Sequence, residues 1–313
     1  MDTTVLQNIR TNIGKVMIGN EETIDLLLTA LLANGHVLLE DVPGTGKTLM
    51  AKALARSLDA QFGRIQFTPD LLPTDVVGLN RLDTRTGEFV FAKGPAFCNI
   101  LLADEINRAT PKTQSSLLEC MAEGQITVDG VTYVLESPFF VIATQNSLES
   151  LGTFPLPEAQ MDRFLMQLSM EPLTHEKEMA LLERFIKDQP LETLEAVCGK
   201  ADIVQLQKAC CEVFVHPDLQ DYMVRVVHAT RQNRKVASGV SPRGTLAFVR
   251  AAQGYAMVHG RDFVTPEDIK AVAVVVLAHR MTMNASYQAG SASESVIREI
   301  LSTVELPTET WDR

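Results

Sequence analysis

The sequence predicts an α/β protein in which a central parallel sheet is covered by helices and followed by a smaller helical unit. Three observations carry this expectation. Five short apolar runs, at residues 36–39, 62–67, 100–103, 139–143 and 164–168, are mostly apolar on both faces, as strands buried between helix layers require. Helical patterns separate several of them, including residues 49–58 and 112–122. After about residue 172 such runs stop, and the remainder reads as helices.

The first run leads into Asp41-Val42-Pro43-Gly44-Thr45-Gly46-Lys47-Thr48, and a helix opens at Leu49. A strand that passes through such a loop into a helix is a phosphate cradle. The glycines let backbone N–H groups turn inward, Lys47 adds a point charge near the β and γ phosphates, and the Thr48 hydroxyl is placed to ligate Mg²⁺. Asp41 stands where the pattern G-x-x-x-x-G-K-[ST] has its first glycine.

Two stretches interrupt the alternation of strand and helix. Residues 78–91 read as a hairpin around Thr84-Arg85-Thr86-Gly87. Residues 125–134 read as a second one, because Asp129-Gly130 supplies the positive φ angles of a two-residue type I′ turn. Added hairpins are compatible with ordinary decoration of the fold, and paired insertions on one face also suit contacts with a client or a pore.

Ligands of open α/β sheets bind at the carboxyl ends of the strands, and three of the strands end on one chemical theme. The first ends on the cradle. The third ends in Asp104-Glu105, where one carboxylate can hold the hydration shell of Mg²⁺ and the next can orient and deprotonate a water for attack on a γ-phosphate. The fourth ends in Thr144-Gln145-Asn146, and an amide is a neutral positioner of that water. Arg163 closes a short helix before the fifth strand, where the helix dipole favours a cation.

Beyond residue 172 lies a charged, partly helical connection, residues 173–200, and then a helical unit, residues 201–313. Pro217 opens one helix, Ser241-Pro242 the next and Thr265-Pro266-Glu267-Asp268 a third, with a Ser or Thr N-cap and proline at the first helical position in the last two. Residues 283–293 read as a loop before the last helix. Arg243 falls in the first turn of its helix, where the dipole disfavours it, and a bound phosphate would compensate.

Bulk properties restrict the function. With 313 residues the chain is long enough for about two domains, and 46% hydrophobic with 21% charged residues is ordinary for a globular protein. A net charge of -11 argues against an exposed nucleic-acid surface as the main activity. The densest basic stretch, Arg225, Arg231, Arg234, Lys235, Arg243 and Arg250, reads mostly as a solvated face. Five cysteines without a C-x-x-C pair suit a reducing cytosol, with Cys98 and Cys120 as core residues and one of Cys210 and Cys211 buried. The scattered histidines propose no zinc site. No export signal stands at the N-terminus, and the longest apolar block, residues 271–278, is too short to span a bilayer, so a membrane is reached only through a partner.

With cradle, Asp-Glu and Asn at successive strand ends, followed by Arg163 and Arg243, the chain resembles the MoxR-type AAA+ ATPases over nearly its whole length. In that family Glu40-Asp41-Val42-Pro43-Gly44 is usual. The resemblance implies an αβα P-loop core with two inserted hairpins over residues 1–172, with sheet order 5-1-4-3-2, and a helical lid over 201–313. It makes Pro43, Gly44, Thr45, Gly46, Lys47, Thr48 and Leu49 the Walker A segment, Asp104 and Glu105 Walker B, Asn146 sensor 1, Arg163 an arginine finger and Arg243 sensor 2. Ile18 and Gly19 sit where the family packs adenine. The hairpins resemble the helix-2 insert and the pre-sensor-1 hairpin. Implied with these are ATP and Mg²⁺, a homo-hexameric ring, and chaperone-like remodelling of a protein client, often with a von Willebrand factor A domain partner. A DNA-remodelling motor, an ATP-gated scaffold with little turnover, and a small-molecule P-loop kinase are the alternatives.

Overall fold

Successive residues of the central strands turn to opposite faces of the sheet, and both faces are buried. The computed structural model describes residues 4–40, 44–146, 152–170, 173–186, 188–287 and 291–307. Among these, two helices, α1 (Thr4–Gly14) and α2 (Glu21–Leu32), precede β1 (Val37–Glu40). Then come α3 (Lys47–Ser57), β2 (Phe62–Gln66), α4 (Pro73–Val77) and the hairpin of β3 (Gly78–Asp83) with β4 (Glu88–Lys93). Next are β5 (Ile100–Asp104), α5 (Pro111–Glu123), the hairpin of β6 (Gln125–Val128) with β7 (Val131–Val134), β8 (Phe140–Gln145), α6 (Glu158–Met161) and β9 (Met166–Leu168).

Among the described residues β2-β5-β8-β1-β9 pair in that order as a five-stranded parallel sheet, which is the expected 5-1-4-3-2 order read from the other edge. Val37, Leu39, Ile100, Leu102, Phe140 and Ile142 point into one core with α1, α2 and α3. Leu38, Leu101, Ala103, Val141 and Ala143 point into the other with α5. This period of two on strands apolar on both faces is what a covered parallel sheet demands. β2 differs. As an edge strand it buries Ile65 and leaves Arg64 and Gln66 exposed, on the side that meets Asp104.

Both hairpins form, the first running on to Lys93, with Asp129 and Gly130 at φ 49° and 79° in the second turn, as its type I′ geometry requires. Phe91 stacks on Tyr133 at 4.3 Å, and Asn80 donates to Asp129 at 2.7 Å, so the hairpins brace each other.

The chain continues through α7 (His175–Phe185), α8 (Lys200–Cys210), α9 (Pro217–Gln232), β10 (Val236–Ser238), α10 (Pro242–Val258), α11 (Pro266–Leu277), β11 (Thr282–Met283) and α12 (Ala292–Thr303). Ser241 caps α10 through Gly244 N–H at 3.2 Å, and Thr265 with Asp268 forms a capping box on α11. The helical lid also carries the two-stranded β10–β11 ladder, which the sequence reading lacks, and the stretch after Met283 holds a 3₁₀ turn, Ala285–Tyr287, before α12. Two- and three-residue strands give too short a pattern to see in sequence. α2 is apolar nearly all round because it lies between the sheet and the lid, and its core is continuous with that of α9 to α12. Gly254 allows that contact, since a Cβ there would come within 2.8 Å of the Thr29 carbonyl.

Cys98, Cys120 and Cys210 are buried, and burial pushes each thiol up to about 12, whereas Cys211 is exposed. No helix among the described residues is long and apolar enough to cross a membrane.

Candidate functional site

The cradle forms where β1 gives way to α3. Gly44 and Gly46 stand at φ 96° and 91°, a region that residues with a Cβ rarely adopt, and Gly46 is the N-cap of α3. Open space surrounds the Cβ position of Gly44. Lys47 and Thr48 therefore begin a helix whose N-terminus carries partial positive charge toward that space. Pro43 lies outside the described residues, as does Asp41.

A cavity of about 470 Å³ brings Gly44, Thr45, Gly46, Lys47, Thr48 and Leu49 together with Asp104, Glu105 and Asn146. Parallel pairing aligns these strand ends: Leu39 is opposite Thr144, and Gln66 opposite Asp104. The Thr144 hydroxyl donates to Asp104 Oδ1 at 2.7 Å and accepts the Glu105 N–H at 2.8 Å, which ties β8 to the turn after β5. Glu105 occupies the left-handed region at φ 56°, a conformation that costs a residue with a Cβ about 1–3 kcal/mol. Strain of this kind belongs to positions that the surrounding bonds over-determine.

Four residues of the cavity lie outside the sequence-read site: Arg64, Gln66, Thr144 and Gln145. Arg64 Nη2 donates to Asp104 Oδ2 at 2.8 Å and to Gln66 Oε1 at 3.1 Å. Gln66 Nε2 donates to Glu105 Oε2 at 3.0 Å, and Arg108 Nε lies 3.0 Å from the same oxygen. Both carboxylates are thus held by donors from the edge strand and from the turn after β5. The available signal was the period-two placement of Arg64 and Gln66 on an otherwise apolar run. The hard oxygens of Thr48 and Asp104 are the donor type that Mg²⁺ takes, and the open loop of positive-φ glycines fits a polyphosphate.

A second cavity lies between the start of α2, the end of β9 and the lid, lined by Gly19, Asn20, Leu168, Lys177, Val275 and Arg298 among others. Gly19 has φ 81° and packs so closely on Lys177 that a Cβ would come within 2.5 Å of its Cδ. Lys177 Nζ donates to the Gly19 carbonyl at 3.1 Å, and Arg184 to those of Gly14 and Lys15. Helix α7 thereby fastens the segment that holds Ile18 and Gly19.

Arg163 and Arg243 line neither cavity. Arg163 is half-buried in the turn after α6 and donates to the Leu118 carbonyl of α5 at 2.7 Å. Arg243 is exposed in the first turn of α10. One chain therefore assembles the cradle, the two carboxylates and Asn146, and leaves both arginines outside.

Comparison with known proteins agrees with this geometry. Residues 36–166 match the family model "ATPase family associated with various cellular activities (AAA)", and residues 228–300 match the AAA lid domain. The chain is 50% identical to the uncharacterized protein YeaC of Bacillus subtilis, over 95% of this chain and 93% of that one. It is 42% identical to Chaperone MoxR1 of Mycobacterium tuberculosis, over 94% and 80%, and 32% identical to Protein MoxR of Methylorubrum extorquens, over 94% and 93%. A crystal structure of a candidate ATPase from Cytophaga hutchinsonii superposes with a TM-score of 0.91 at 38% identity, over 98% of this chain and 96% of that one. With relatives of this similarity along nearly its whole length, the chain belongs to the MoxR-type AAA+ ATPases.

Proposed function

We propose that this ATPase hydrolyses ATP with Mg²⁺ in a ring of like subunits, a hexamer in the cytoplasm, and uses movement of the lid, residues 201–313, against the core, residues 1–172, to remodel or activate a protein client. The observation that carries this reading is the single cavity where Gly44 to Leu49 face Asp104, Glu105 and Asn146. In it the cradle N–H groups and Lys47 would hold the phosphates, Thr48 would ligate Mg²⁺ and Asp104 would hold its hydration shell, Glu105 would take the proton of the attacking water and Asn146 would orient that water. When bound, Mg²⁺ neutralises charge on the phosphate oxygens. Arg163, outside its own subunit's cavity, serves the adjacent subunit's γ-phosphate, and Ile18 and Gly19 pack the base.

The protein client is supported by the hairpins. Phe89 is 74% and Val134 79% exposed, on two hairpins that brace each other, and exposed apolar side chains on a rigid support suit a protein partner, such as a von Willebrand factor A domain protein. The name Chaperone MoxR1, borne by a relative, points the same way. A second reading, an ATP-gated scaffold with little turnover, draws on the hold that Gln66 and Arg108 keep on Glu105.

The test is capture in the ATP state. Glu105→Gln protein incubated with Mg-ATP should form rings and retain a client that Lys47→Ala protein does not. Phosphate release by wild-type protein should depend on Mg²⁺ and rise when that client is added. Rings without any Mg-dependent phosphate release, with or without client, would leave the scaffold reading in its place.

A further inference from the structure

Asp162, the residue before Arg163, is where the lid reaches the finger segment. Its Oδ1 accepts from Arg280 Nε at 2.7 Å, and its Oδ2 lies 3.4 Å from the Ser241 hydroxyl. Arg280 follows α11, and its side chain is only 2% exposed. Its remaining donors surround the same turn: Nη2 reaches the carbonyls of Phe164 at 2.5 Å and Asp162 at 3.4 Å, and Nη1 that of Leu165 at 3.0 Å. A second Nη1 bond, to the Val276 carbonyl, anchors the guanidinium to α11. His279 Nε2 lies 3.2 Å from the Phe164 carbonyl, and burial beside the guanidinium keeps that imidazole neutral.

Ser241 is the N-cap of α10, two residues before Arg243. Gly244 lets this helix close on the junction, since a Cβ there would come within 2.9 Å of Arg280 Cδ. Asp162 is therefore joined to Arg163 by the chain, to the helix of Arg243 by a hydrogen bond and to Arg280 by an ion pair. A planar guanidinium that binds a carboxylate and neighbouring carbonyls at once fixes orientation as well as distance.

We propose that Arg280 and Asp162 are positioning residues that hold Arg163 in the pose it presents to the adjacent subunit, so that the lid of one subunit governs hydrolysis in the next. This rests on the reading of Arg163 as a finger acting in trans. Contacts that shift the lid in one subunit then shift residues 162–165 with it, because the same side chains hold both.

Mixed assemblies test it. Lys47→Ala chains donate fingers without a working cradle, and Arg163→Ala chains donate cradles without a finger, so their mixture hydrolyses ATP only where an intact cradle meets an intact finger. Asp162→Asn is then added to one partner or the other, and Arg280→Lys in a parallel set guards against a single variant that fails to fold. In the finger donor either change should lower the recovered kcat by roughly tenfold or more, a loss within that expected for a misplaced group, and leave KM for ATP unchanged. In the cradle donor it should leave the recovered rate unchanged. Equal loss from both positions marks a merely structural role and overturns the proposal, as does loss confined to the cradle donor. If the parental mixture recovers nothing although native mass spectrometry shows mixed rings, the trans reading of Arg163 fails, and the proposal with it.

Discussion

Gln66 Nε2 donates to Glu105 Oε2 at 3.0 Å, so the carboxylate at the end of β5 is drawn toward the edge strand β2. A general base must lie within hydrogen-bond reach of the water it deprotonates, and an oxygen already shared by Gln66 and Arg108 is less available for that task. The pair is exposed to solvent, which weakens it relative to a buried bond of the same length.

The first prediction follows from that pair. Gln66→Ala should raise basal ATP turnover by about three- to tenfold, the equivalent of releasing a hydrogen bond of about 1 kcal/mol, with ATP affinity unchanged. Steady-state phosphate release against ATP concentration measures both. A fall in kcat would mean that Gln66 holds Glu105 in its working pose.

Binding and hydrolysis should separate by residue. Lys47 stands at the start of α3, beside the open cradle, whereas Glu105 stands across the cavity at the end of β5. Lys47→Ala should weaken ATP binding by roughly ten- to a hundredfold, the range of a lost charge-assisted hydrogen bond. Glu105→Gln should keep that affinity and lose about 10²- to 10⁴-fold in turnover, as for loss of a general base. Equilibrium binding of a fluorescent ATP analogue, beside turnover, distinguishes the two; equal affinity in wild type and Lys47→Ala would remove Lys47 from the site.

What the sequence made legible was whatever it repeats locally. Strands apolar on both faces, Asp129-Gly130 at a turn, and Ser241 or Thr265 before proline each specify their own backbone, and each forms as expected. The cradle and Asp104-Glu105 were legible because their chemistry sits on consecutive residues. Arg64, Gln66 and Thr144 were not, because their meaning depends on which strand pairs with β5, and pairing is a long-range fact. The same holds for Arg280 and Asp162, which lie 118 residues apart in sequence and 2.7 Å apart in the fold.

Acid should weaken the core through His36. Its Nδ1 accepts the Val141 N–H at 3.1 Å, and its Nε2 donates to the Met121 carbonyl at 3.0 Å, so β8 and α5 are tied by a neutral imidazole. Burial pushes its pKa from 6.5 down to about 4, against the smaller opposing effect of the Met121 bond. A depressed histidine pKa means that the unfolded chain takes up the proton first. Its contribution is therefore fully present above 6.5 and lost as pH falls toward 4, by up to about 3 kcal/mol. Urea unfolding at pH 7 and pH 4.5 should show a smaller drop for His36→Asn than for wild type, and equal drops would count against a buried neutral imidazole.

The last prediction concerns the lid. Arg243 is exposed at the N-terminal end of α10, where the helix dipole disfavours a cation, and among the described residues it has no hydrogen-bond or ion-pair partner. A second cation stands near it: burial pulls the Arg280 guanidinium down to about 10, and the charge of Arg243 adds to that depression. An anion at this point would relieve the repulsion between the two arginines and the unfavourable dipole together. A nucleotide phosphate is such an anion, and because it favours only the lid position in which Arg243 reaches it, binding should order α10 against the core. Arg243→Ala should bind ATP roughly tenfold more weakly, as expected for one lost charge-assisted contact. It should also lose the ATP-dependent gain in hydrogen-exchange protection over residues 242–254, while its protection without nucleotide stays that of wild type. If the gain survives the substitution, another residue couples the lid to nucleotide, and Arg243 has no part in the site.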